Sequence, residues 1–153
     1  MQFKYSEKIN VEGIINCPPN DCSVIENVDV FYRWVFEDLN HKNNFIPVLE
    51  ISPKRINNPK FNTNTKKCSG FALSMHDSLE NSRNHFYNTL ADLPNFFQIV
   101  GDHIAALKVD INDGYITNPS KKHFDKGHFD FFEQKNINWI ERVSNTIRIK
   151  DEK

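Results

Sequence analysis

The sequence predicts an α+β fold, a mostly antiparallel sheet with one or two packed helices, and three observations carry that expectation. Several short segments are dense in β-branched and aromatic residues. One longer segment has a cap signal and apolar residues along one face. Turn-forming Asn, Asp, Gly and Pro separate these pieces. The 153 residues suffice for one real core. No composition shift marks a boundary, so residues 1–153 are expected to form a single domain with a basic loop at 52–67. Hydrophobic residues make up 39% and aromatic residues 12%, which excludes a disordered chain despite the abundant Asn.

Taken in order, Phe3, Tyr5, Val11, Ile14 and Ile15 alternate loosely and predict a strand or an arm over 1–15. Cys17-Pro18-Pro19-Asn20-Asp21 is a turn or loop. Val28 to Phe36 reads as a buried strand. Phe45 to Ile51 is expected to be extended, with Pro47 holding it to a sheet edge. Residues 52–67 form a loop rich in Asn and Pro. Phe71-Ala72-Leu73 is a short strand leading into a helix capped by Asp77, with Glu80 as its capping-box partner and Pro94 as its end. Residues 104–111 alternate as a strand, and Asn112-Asp113-Gly114 predicts a hairpin into Tyr115-Ile116-Thr117. The tail fits a helix through Phe129, Phe132, Ile140, Val143 and Ile147, or a strand at 128–132.

The formal net charge is −1, so no global field draws the protein to nucleic acid or an anionic membrane. Nucleic-acid contact is left to the 52–67 loop, where Lys54, Arg55, Lys60, Lys66 and Lys67 face no acid in sequence. No apolar run is long enough for a bilayer, and residues 1–8 lack the apolar core of a signal peptide. Three cysteines argue against a disulfide framework and for a reduced, cytoplasmic setting with free thiols. The five glycines build neither a Walker loop nor a dinucleotide fingerprint.

The chemistry concentrates between Lys121 and Glu133, where a His-Phe-Asp unit is doubled and followed by a glutamate. On a strand, His128 and Asp130 share a face, and a carboxylate beside an imidazole suits general acid–base work. On a helix, Asp130 and Glu133 are the neighbours instead. The same residues also cover the polar side of a Phe-rich element in a purely structural role. A zinc or other divalent-metal set is available from Cys17, Cys22, His123 and His128, with Asp125 and Asp130 as supports. Cys68, after Lys66-Lys67, is a candidate thiol nucleophile or an exposed loop cysteine.

Three separated pieces carry a family resemblance: Phe31-Tyr32-Arg33-Trp34, Gly70-Phe71-Ala72-Leu73-Ser74 before a helix, and Asp130-Phe131-Phe132-Glu133. Their order resembles the Arg, Ser, Glu order of ADP-ribosyltransferase-like domains, some of them bacterial toxins that consume NAD. The resemblance implies that Arg33 holds cofactor phosphates, Ser74 orders the nicotinamide site, and Glu133 supports the positive charge formed at the sugar. The chain departs from the family where Ala72-Leu73-Ser74 replaces Ser-Thr-Ser, and where Asp130 and Glu133 stand three apart rather than two. Two rival functions stay open: a metal-dependent hydrolase or nuclease using the His/Asp cluster, and a non-catalytic accessory subunit that buries a protein partner.

Overall fold

β-branched and aromatic segments pair into one antiparallel sheet in the computed structural model, which describes residues 3–134 and 137–149. Its strands are β1 (Ser23–Val24), β2 (Asp29–Val35), β3 (Leu73–His76), β4 (His103–Val109), β5 (Gly114–Ile116), β6 (His128–Glu133) and β7 (Val143–Arg148). Their order is β1-β5-β6-β3-β2-β4-β7, and every neighbouring pair is antiparallel. The helices are α1 (Ser6–Val11), α2 (Val48–Ile51), α3 (Asn64–Ser69), α4 (Leu79–Asp92), α5 (Phe97–Val100) and α6 (Trp139–Arg142). The expected α+β class with an antiparallel sheet holds. Of the helices, only α4 is longer than two turns, with 14 residues.

The sheet is not flat. β2 and β3 share a single register pair, Tyr32 with His76. β4 and β5 lie four strand positions apart, about 19 Å in a flat sheet. Yet residues 110–113 join them through a tight turn closed by Asp113 N–H donating to Asp110 O. The sheet therefore folds over at the β2/β3 seam, and its two halves enclose a common core. Phe31, Val35, Leu107 and Val109 from one half meet Leu73, Met75, Phe129 and Phe131 from the other, with Trp139 sealing one side. Phe31 and Phe129 meet edge to face at 4.8 Å, as aromatic quadrupoles favour.

Several sequence expectations change. Residues 6–11 are helical, and among the described residues of this segment only Phe3 pairs with the sheet, bridging Gln134, while residues 1–2 lie outside the described residues. Residues 48–51 are a helical turn rather than an edge strand, because Pro47 sits at its N-cap, where a missing N–H costs nothing. The 52–67 segment folds into two 3-10 turns and α3, not an open loop. Helix α4 is capped by Ser78, whose hydroxyl accepts from Asn81 N–H, while Asp77 accepts from the Asn81 side chain. The expected hairpin is absent: the turn at 112–114 exists, but β5 pairs with β6 and β1, not with β4. The doubled motif resolves as a strand at its second half, and the rest of the tail supplies α6 and β7.

The cysteines also differ from expectation. Cys17 and Cys68 form a disulfide with Cα atoms 5.6 Å apart, joining the segment after α1 to α3. Only Cys22 is free. Cys68 is buried and its thiol consumed, so it is no nucleophile, and the ground for expecting a reduced setting falls away. Among the described residues no helix is long and apolar enough to cross a membrane.

Candidate functional site

The β2/β3 seam creates a cavity because two strands that part after one pair leave a gap to be lined by side chains. The cavity measures about 390 Å³, within the usual size of small-molecule sites. Arg33, Ser74, His128 and Asp130 line it, each expected from the sequence and drawn from three strands. Cross-strand pairing explains the grouping of three of them: Ser74 stands opposite Asp130 and His76 opposite His128, all on one face of the sheet, whereas Arg33 shares strand parity with the core residues Phe31 and Val35. Ile46, Pro47, Val48, Ile51, Phe61 and Val100 form the apolar part of the wall.

Arg33 fixes the seam. Its Nε donates to Asn44 O at 2.7 Å and its Nη1 to Ser74 O at 2.9 Å. Asn44 is itself locked, accepting from Phe36 N–H and donating to Asp38 O. Two guanidinium donors are thus committed to backbone carbonyls, and Nη2 has no hydrogen-bond partner among the described residues. Burial pushes the Arg33 pKa down to about 10, opposed by the negative charge of Glu133.

His128 Nε2 lies 2.6 Å from Ser74 Oγ, and its Nδ1 lies 4.0 Å from Asp125 Oδ2. Asp125 in turn accepts from Ser120 Oγ at 2.6 Å. Burial pushes the Asp130 carboxyl above the ordinary carboxylate range, opposed by the Ser69 hydroxyl and the charge of His128. Gly127 delivers the chain into β6 at a φ of +82°, and an added Cβ would collide with Asp77 Oδ1 and the Asn81 side chain. Only glycine fits this entry.

Two further histidines were not in the expected set. His76 Nε2 and His85 Nδ1 are 2.8 Å apart, and both rings lie 5.5 Å from His128. Burial, then the imidazoles of His128 and His85, pushes His76 down to about 2. Burial and His128 push His85 down to about 4. His76 was legible in principle, since it shares strand parity with Ser74. His85 enters from α4 and has no signal at that range.

Glu133 takes another place. Strand alternation puts it on the core face with Phe129 and Phe131. There it is 1% exposed, accepts from Trp139 Nε1 at 2.8 Å, and pairs with Lys4 at 3.6 Å. It does not line the cavity. The zinc set does not assemble: Cys17 is in the disulfide and His123 is exposed. Among the described residues no group of three or more His, Cys, Asp or Glu side chains is placed to hold a metal ion. No family model, curated protein or solved structure matches the chain.

Proposed function

We propose that the seam cavity binds a phosphate-bearing N-glycoside of the NAD type and cleaves or transfers it at the glycosidic bond. The observation that supports this reading is the convergence of Arg33, Ser74, His128 and Asp130 on one cavity. Arg33, held rigid by two carbonyls, presents Nη2 to a diphosphate. Asp130 is the fixed carboxylate facing the positive charge that develops at the sugar carbon, the part the resemblance assigns to Glu133. The bond from that carbon to the leaving base breaks with its electron pair going to the base. An incoming water or hydroxyl oxygen bonds to the same carbon, and its proton passes to His128, oriented by Ser74.

The test is nicotinamide release from NAD by the purified protein. Asp130→Asn should lower it about 100-fold or more, with unchanged circular dichroism. A wild-type protein that neither binds nor consumes NAD sinks the reading.

A second reading is favoured by one contact, the 2.6 Å approach of Ser74 Oγ to His128 Nε2 with Asp125 behind the imidazole. That order of groups suits a serine nucleophile in acyl transfer. A fluorophosphonate probe that labels Ser74, and fails to label His128→Ala, would select it. A protein that resists the probe yet consumes NAD selects the first.

A further inference from the structure

Five of the chain's 19 Lys and Arg, and none of its 20 Asp and Glu, fall between residues 54 and 67. The protein as a whole is slightly acidic, so this segment is a local reversal of sign. Lys54, Lys60 and Lys66 are exposed, with Arg55 and Lys67 half-buried. None of the five has a salt bridge among the described residues. The acid nearest in sequence, Glu50, is neutralised by Lys8 at 2.8 Å.

The segment is held, not floppy. Phe61 anchors it in the core, with Arg55 and Lys60 each about 6.0 Å from its ring centroid. Thr63 caps α3, and the Cys17–Cys68 disulfide pins its end. Lys60 and Phe61 also line the seam cavity, so the basic segment reaches it.

We propose that residues 54–67 bind the phosphate backbone of a single-stranded nucleic acid and lead one of its nucleotides into the cavity. Cations without an acidic partner, carried on a backbone pinned at Phe61 and Cys68, suit repeated phosphates, whose contacts position a strand without reading its sequence. Outside the cavity Phe61 is buried and offers no stacking face, so backbone charge supplies the binding along the segment. A cavity of about 390 Å³ admits a nucleotide only when it is out of the stack, which selects a single strand over a duplex.

The experiment is fluorescence anisotropy of labelled single-stranded RNA and DNA of about 20 nucleotides with the full chain, without NAD, over a salt series from about 50 mM. Binding should weaken with log salt at a slope of about −2 to −3. Combined Lys54→Ala, Lys66→Ala and Lys67→Ala should weaken it at least about tenfold and flatten that slope, with an unchanged melting temperature. Lys121→Ala with Lys122→Ala should bind like wild type. No binding at the lowest salt, a triple variant that binds like wild type, or a duplex bound as tightly as a single strand overturns the proposal. Displacement by polyglutamate as readily as by an unlabelled strand points to an acidic protein partner and overturns it too. Because NAD is left out, strand binding can stand where NAD consumption fails, and the reverse.

Discussion

Asp130 and Glu133 stand three positions apart on one strand, and the pleat sends them to opposite faces. Asp130 faces the cavity beside Ser74, whereas Glu133 faces the core beside Trp139 and Lys4. Glu133→Gln keeps an acceptor for the Trp139 indole. It should leave NAD turnover within about twofold and move unfolding free energy by no more than about 1 kcal/mol, read from urea denaturation. A loss of turnover as large as that of Asp130→Asn would return the catalytic role to Glu133. The histidine cluster makes a pH prediction. His76 and His85 titrate near their ordinary value when unfolded, but at about 2 and about 4 when folded. Between the two ranges the unfolded chain binds more protons, so stability is fully present above about pH 6.5 and is lost as pH falls. Each histidine contributes a slope of up to about 1.4 kcal/mol per pH unit. Asp130 and Glu133, both pushed up by burial, bias the slope the other way at lower pH. The difference between wild type and His85→Gln therefore isolates the cluster: the variant's stability should fall less from pH 7 to pH 5.

Elements with strong local signals were legible, and those decided by neighbours were not. β2 and β4 are central strands, and their apolar density shows in sequence within a residue or two of the observed ends. The body of α4 is equally clear, but its cap lies one residue beyond the expected Asp77, since Asp77 and Ser78 both suit that position chemically. Ser78→Ala should cost about 1 kcal/mol, and Asp77→Ala clearly less, by urea denaturation. Equal costs would show that the Asp77 contact to Asn81 matters as much as the cap. The 45–51 segment failed because Pro47 serves equally as an edge residue and as a helix start, and packing of Leu49 in the core decides between them. At 112–114 the local signal was sound, since Asn112 takes a φ of +70°. Strand choice lay elsewhere. The partners of β5 are set by Tyr115 opposite Phe132 and by the closing of the core, which no window around the turn contains.

At the scale of the whole molecule, two devices join parts distant in sequence. The Cys17–Cys68 disulfide closes a loop across a separation of 51 residues. Cys17→Ser should lower stability by about 2–4 kcal/mol, seen as a lower urea midpoint under non-reducing conditions and no effect of added thiol on the variant. Three cysteines spaced without pattern gave no hint of this pairing, because the contact depends on α3 folding back against the N-terminal segment. The candidate site was half legible for a similar reason: residue chemistry marked Arg33, Ser74, His128 and Asp130, but only the fold brought in His76 and His85. The second device is the seam itself. A single residue pair is the whole ladder between the two half-sheets, so the cavity occupies the join that has the fewest bonds to break. On the proposed reading, a ligand held by Arg33 on one side and by Ser74 and Asp130 on the other would act as a rivet between two plates. The heat needed to separate those plates then becomes a gauge of occupancy, so a thermal-shift screen can detect the natural ligand whatever reaction it undergoes.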